Sequence, residues 1–299
     1  MNNKRAPFIG AATALATPFT VTGEVDFDAL ERLIERQLRA GISALIVLGT
    51  TGEPSTLDEE ESLAIVCRAK QLLGCKATLV VGVGGNNTSH CIARCKLMRD
   101  LGADALLAVT PYYNKTSPSG LIAHFTSLAD ATDLPLIIYN VPARTGLNLT
   151  PDTMDILADH PNIAALKEAS GNIEQIVELF HRVHDRVAIY CGSDDQNLVY
   201  LTLGGDGLIS VLSNLAPKPV VKLYAECAAG HLAAARETAR TLHPLARAIF
   251  WETSPIPLKA ALAYAGLCEE TVRLPLVPMR ADLKAKLFTL IDEFPREMA

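Results

Sequence analysis

The chain has 299 residues, 49% hydrophobic and 20% charged, enough to bury a large core and ordinary for a globular protein. Its 33 acidic residues outnumber 27 basic ones, giving a formal charge of -6, and no long basic run offers nucleic acid an electrostatic footprint. No apolar run reaches the roughly 18 residues of a membrane helix. The start, Met1-Asn2-Asn3-Lys4-Arg5 with Pro7 and Gly10 close behind, lacks the clean apolar region and cleavage site of a signal peptide. A cytoplasmic protein is expected. The seven cysteines are odd in number and scattered, which does not suit a disulfide framework.

Along the chain, short apolar runs alternate with longer helical stretches. The runs cover residues 12–15, 45–48, 79–83, 105–109, 136–139, 163–166, 187–191 and 208–211. Each is almost continuously apolar, as parallel strands buried on both faces must be. After the first run, Phe27, Leu30, Leu33, Ile34 and Leu38 recur at helical spacing. After the second, Thr56-Leu57-Asp58-Glu59 reads as a capping box, and the acidic stretch that follows suits a helix N-terminus. Cys91 and Cys95 lie four apart on the next helix; with no second ligand pair at zinc spacing, they read as small core residues. Ser117-Pro118 and Thr150-Pro151 place a capping hydroxyl before a proline at a helix start, and Gly41, Gly74 and Gly102 stand where helices should stop.

Strand then helix, eight times, predicts an α/β chain folded as a (β/α)8 TIM barrel. A doubly wound sheet is the rival, but Gly82-Val83-Gly84-Gly85 has the wrong glycine spacing for its dinucleotide turn. Beyond Lys222 the texture changes to alanine-rich stretches broken by Ser254-Pro255-Ile256-Pro257 and by Pro275 and Pro278. The expectation is a catalytic barrel over residues 1–221 and a helical region over 222–299, of two or three helices, packed on it.

Catalytic groups of such a barrel lie at the C-terminal ends of its strands. Lys167 directly continues the sixth run. A desolvated amine there becomes a nucleophile; a lysine paired with Glu168 is the equal alternative on position alone. Tyr139 ends the fifth run and could shuttle protons for that amine, although a tyrosine there is more often a core residue. Thr50 and Tyr113 add hydroxyls, which both donate and accept. Arg144, in a loop bounded by Pro142 and Gly146, offers a planar fork for a carboxylate, or a surface ion pair. The seven histidines fall mostly in helical stretches and read as surface or packing residues. Asp194-Asp195 reads as a loop or helix cap rather than a metal site. No metal ligand set and no phosphate-cradling loop for pyridoxal phosphate stands out, so no cofactor is expected.

Five motifs then fall in order on the right strand ends and beyond: Gly49-Thr50-Thr51-Gly52-Glu53, Thr110-Pro111-Tyr112-Tyr113-Asn114, Tyr139-Asn140-Val141-Pro142-Ala143-Arg144-Thr145-Gly146, Lys167-Glu168-Ala169-Ser170-Gly171-Asn172 and Ser254-Pro255-Ile256-Pro257-Leu258-Lys259. Together, and essentially end to end, they resemble the dihydrodipicolinate (4-hydroxy-tetrahydrodipicolinate) synthases of the N-acetylneuraminate lyase superfamily. The resemblance implies a class I, Schiff-base lyase of the diaminopimelate route to lysine. Lys167 would capture pyruvate and the enamine would attack L-aspartate 4-semialdehyde. It further implies that Tyr139, Thr50 and Tyr113 form a proton relay, with Tyr113 reaching in from a neighbouring subunit of a homotetramer built from two dimers. Thr50 and Thr51 would hold the pyruvate carboxylate and Arg144 that of the semialdehyde. Gly192 and Ile209 would line the pyruvate site with backbone.

Arg144 and the two threonines favour the synthases over the sialic-acid and sugar-acid lyases, the alternative within the superfamily. A non-catalytic barrel that senses a keto acid is the alternative outside enzymes. Pro54 replaces a common serine, and Ser193 intervenes before the aspartate pair. In lysine-inhibited relatives an effector site lies between subunits. Ser55, Asn86 and Tyr112 match it here, but His90 stands where a carboxylate commonly binds the effector's amine, and Ser62 where a histidine is often found. Weak or absent inhibition by lysine is therefore expected.

Overall fold

The computed structural model describes residues 6–295; Met1-Asn2-Asn3-Lys4-Arg5, read above for a signal peptide, lies outside the described residues. Strands apolar on both faces need a second layer on each side. A sheet closed on itself, with helices outside, supplies both and leaves no edge. Strands β1 (Gly10–Ala14), β2 (Ala44–Val47), β3 (Thr78–Gly82), β4 (Ala105–Val109), β5 (Leu136–Asn140), β6 (Ile163–Glu168), β7 (Ala188–Cys191) and β8 (Gly207–Ser210) form that closed parallel barrel, β8 pairing back onto β1. Strand residues are buried except Thr78, Gly82 and Val109, which are half-buried. The expected runs and the observed strands differ by a residue or two at their ends. The difference that matters for the site is β6, which continues through Lys167 and Glu168.

The helices between are α1 (Phe27–Ala40), α2 (Glu59–Leu73), α3 (Thr88–Asp100), α4 (Pro118–Asp130), a short α5 (Pro142–Thr145), α6 (Pro151–Leu157), α7 (Ile173–Val183), α8 (Asn197–Thr202) and α9 (Pro217–Ala228). Asp26, Asn87, Ser117, Thr150 and Asn172 cap their helices by accepting a backbone N–H, each worth about 1 kcal/mol. The capping box of α2 is shifted two residues from its expected place. Asp58 accepts from the Glu61 N–H, and Glu61 accepts from the Asp58 N–H. Thr56 is unavailable because it closes a one-turn 3-10 helix, Pro54–Thr56, donating its hydroxyl to the Glu53 carbonyl.

One irregularity sets the phase of β6. Leu136 pairs with Ile163, but Ile137 pairs with Ala165, so Ala164 is an extra residue at the start of the strand. From there the register runs evenly, bringing Tyr139 level with Lys167 and Asn140 level with Glu168.

Three more helices follow the barrel: α10 (Leu232–Ala248), α11 (Ile256–Tyr264) and α12 (Ala281–Glu293). The boundary expected at 221/222 falls inside α9, the outer helix that follows β8 and packs on β1. A division after Ala228 keeps that helix whole and would assign only α10 to α12 to the extension. Among the described residues no helix is long and apolar enough to cross a membrane.

Candidate active site

Alternation along β5 and β6 sorts four neighbouring polar residues onto two faces. Asn140 and Glu168 point outward. The Glu168 carboxylate accepts from Asn140 Nδ2 at 2.9 Å, the Ser170 N–H at 2.7 Å and Gln175 Nε2 on α7 at 3.4 Å. Tyr139 and Lys167 therefore point inward together. Lys167 Nζ sits 4.0 Å from the centroid of the Tyr139 ring, and its residue is only 4% exposed. The pairing of Lys167 with Glu168, left open by the sequence, does not form, because successive residues of a strand face opposite sides.

Burial is the largest influence on both inward groups. It pulls the Lys167 ammonium down to about 8, against the raising charge of Asp194 and aided by Arg144. It pushes the Tyr139 phenol up to about 12, opposed by Arg144. The pair is thus an amine that loses its proton readily beside a phenol that keeps its own. Gly192, just past β7, leaves room for this arrangement: a Cβ there would lie 3.0 Å from Lys167 Cε and 3.0 Å from the Ala169 Cβ. Ile209 is buried in β8, paired across the barrel seam with Ala12.

Above Tyr139 a cavity of about 480 Å³ opens. Thr50, Tyr139 and Arg144 line it, whereas Lys167, Thr51, Gly192 and Ile209 do not. Thr50 is placed there by a sharp exit from β2. Leu48 adopts a left-handed conformation at φ 55, and its carbonyl approaches Gly82 so closely that a Cβ there would sit 2.0 Å from the oxygen. The chain then makes a 3-10 turn, Thr50–Gly52. Thr51 is buried in it, and Thr17 donates its hydroxyl to the Gly52 carbonyl at 2.8 Å. Arg144 leans over the mouth from α5, donating from Nη2 to the Ser254 carbonyl at 3.1 Å.

Tyr113 stands apart. It is left-handed at φ 69, 91% exposed, and not part of its own chain's cavity wall. The four residues considered for regulation, Ser55, Asn86, His90 and Tyr112, all line the same cavity, where Asn86 Nδ2 donates to the Tyr112 carbonyl at 3.4 Å. Cys91 and Cys95 are buried on α3 as core residues. Among the described residues no group of three or more His, Cys, Asp or Glu is placed to hold a metal ion.

Two features were not legible as parts of the site. The buried Asp194 is more than the loop or helix cap expected of it. Its carboxylate accepts from the Ser210 hydroxyl and from the N–H groups of Val211 and Leu212, tying the end of β7 to the exit of β8 beside Lys167. Glu53, one residue past the Thr50 turn, pairs with Lys259 of α11 at 2.6 Å, both side chains essentially without exposure.

The profile of the dihydrodipicolinate synthetase family matches residues 7–294. The chain is 44% identical over 287 residues to the 4-hydroxy-tetrahydrodipicolinate synthase of an Exiguobacterium species, covering 96% of this chain and 98% of the relative. A crystal structure of dihydrodipicolinate synthase from Thermotoga maritima superposes with a TM-score of 0.94 at 43% identity, covering 96% of this chain and 98% of that one. The chloride-inhibited dihydrodipicolinate synthase of Acinetobacter baumannii, solved in complex with pyruvate, gives 0.94 at 36% identity, covering 97% and 99%. An inward lysine and tyrosine at the mouth of an eight-stranded barrel, together with matches that run nearly the full length of both partners, place this chain in the dihydrodipicolinate synthetase family.

Proposed function

We propose that the chain is a 4-hydroxy-tetrahydrodipicolinate synthase, condensing pyruvate with L-aspartate 4-semialdehyde through a Schiff base on Lys167. The observation that carries this reading is the desolvated Lys167 amine held 4.0 Å over the Tyr139 ring. An amine with a pKa of about 8 is unprotonated in a substantial fraction of molecules near neutral pH, whereas an ordinary lysine is not.

The neutral amine attacks the keto carbon of pyruvate. The keto oxygen takes up a proton while the nitrogen loses one, and departure of water from the carbinolamine leaves an imine. The imine acidifies the former methyl group, which loses a proton to become an enamine. The enamine carbon attacks the aldehyde carbon, and the aldehyde oxygen is protonated. That attack regenerates the imine; the amine of the semialdehyde adds to its carbon and closes the ring, and a proton passes to the Lys167 nitrogen as its bond to that carbon breaks, leaving a ring imine and the free lysine. The protonated Tyr139 phenol and the Thr50 hydroxyl are suited to carry these protons. Tyr113 completes the relay from a second copy of the chain, which its exposed rim position favours, within a homotetramer. The turn at Thr50 and Thr51 holds the pyruvate carboxylate, partly through backbone N–H groups, with Gly192 and Ile209 beneath. Arg144 binds the semialdehyde carboxylate. Lysine inhibits weakly or not at all, since His90 provides no carboxylate for its amine.

The test is pyruvate consumption with L-aspartate 4-semialdehyde, compared with N-acetylmannosamine, together with borohydride trapping and mapping of the adduct. Consumption with the semialdehyde alone and a pyruvyl adduct on Lys167 are expected. Turnover of the sugar, or an adduct elsewhere, would overturn the reading.

A further inference from the structure

One short segment of the helical extension, residues 254–259, touches the barrel mouth at both of its ends. At its start, the Ser254 carbonyl receives Arg144 Nη2 at 3.1 Å. At its end, Lys259 Nζ lies 2.6 Å from Glu53 Oε1. Lys259 also donates to the Thr271 carbonyl at 2.8 Å and covers the Phe19 ring at 3.8 Å from its centroid. The second carboxylate oxygen of Glu53 accepts the Arg273 N–H at 3.2 Å, and the Arg273 guanidinium stacks on the same Phe19 ring.

Glu53 is an unusual place for such an anchor. It is left-handed at φ 53 and ψ 44, a conformation that favours glycine. It closes the Thr50–Gly52 turn, donating its N–H to the Thr50 carbonyl at 3.2 Å. A non-glycine residue kept in that conformation needs surroundings that over-determine it, and the buried ion pair supplies them. Burial also pushes the Lys259 ammonium down, with Glu53 opposing that shift.

We propose that Glu53 and Lys259 are positioning residues: their ion pair fixes the Thr50–Thr51 turn in its pyruvate-binding shape, so the extension forms part of the active site. The same segment steadies Arg144 through Ser254, which couples the two substrate-binding elements through one strut. The proposal rests on the Schiff-base reading above.

Losing one partner of a buried pair threatens folding, whereas replacing both by neutral groups of similar size is often tolerated. The test therefore uses the double variant Glu53→Gln/Lys259→Met beside the parent, with borohydride trapping and steady-state kinetics. The parent forms the Lys167 adduct. The double variant folds and forms it too, but its pyruvate KM rises roughly tenfold, as expected for a binding element displaced by a fraction of an ångström. Its semialdehyde KM changes less. The Glu53→Asp variant, which keeps both charges and shortens the reach, gives an intermediate pyruvate KM and serves equally if the double variant does not fold. A folded double variant with parental pyruvate KM, or an Asp variant indistinguishable from the parent, overturns the proposal. No adduct in the parent overturns the Schiff-base reading, and the clamp's purpose with it.

Discussion

Two lysines are buried at the same end of this barrel, and their surroundings give them opposite roles. Lys167 faces a tyrosine ring and feels Asp194 through its charge, without a hydrogen bond. Lys259 has a carboxylate at 2.6 Å, a carbonyl at 2.8 Å and an aromatic face at 3.8 Å. Burial pulls both ammonium groups down. The difference lies in what offsets it. A buried lysine given an ion-pair partner is structural; one denied a contact partner becomes a ready nucleophile.

The contrast breaks most visibly at Lys167. Lys167→Met should lower turnover by on the order of a thousandfold or more and abolish the borohydride adduct. It should also stabilise the fold. A drop from 10.5 to about 8 corresponds to roughly 3 kcal/mol. Both folded and unfolded chains hold the proton below about pH 8, so the whole cost of burying it is present there. Between about 8 and 10.5 the folded chain binds fewer protons, so stability rises with pH and the cost disappears. The variant should thus be more stable than the parent at pH 7, by about 2 kcal/mol after loss of the ring contact, and the gain should fade by pH 10. Thermal unfolding at both pH values decides this, and a less stable variant at pH 7 would contradict it.

Lys259→Met should move stability the other way. It leaves the Glu53 carboxylate buried without its cation, at a cost of about 3–5 kcal/mol. Denaturant unfolding measures it, and a neutral result would remove the distinction between the two lysines. A smaller effect sharpens the comparison. Asp194→Asn removes the largest charge that holds the Lys167 proton in place. The pH midpoint of borohydride trapping should therefore move below that of the parent. An unmoved midpoint would mean that Asp194 carries no charge or acts only as a tether.

Much of the barrel can be read in the chain because apolar strands and capping residues are local signals. Leu79, Val80 and Val81 need no distant partner to announce a buried strand. Lys167 and Tyr139 were legible because each directly ends an apolar run, and strand ends form the mouth. An inward Lys167 follows from its place at the end of that run, but its standing level with Tyr139 does not, since that register depends on one extra residue, Ala164, in β6. The capping box was misplaced because Thr56 is drawn into a turn with Glu53, a competition that a four-residue pattern cannot register. Lys259 belonged to a recognisable motif, but its meaning lies with Glu53, more than two hundred residues away. Asp194 read as a loop or helix-cap residue because the groups it satisfies, at Ser210 to Leu212, arrive from the next strand.

The phase of β6 has a consequence of another kind. Inward Lys167 and outward Glu168 are adjacent, so strand parity determines which of the two ionisable groups faces the barrel interior. Sliding this strand by one position would present a carboxylate to an incoming keto acid and bury an ammonium against α7, amid Asn140 and Gln175. Length changes in β6 should therefore act as a polarity switch: the site would not weaken by degrees but turn into one that repels its own substrate.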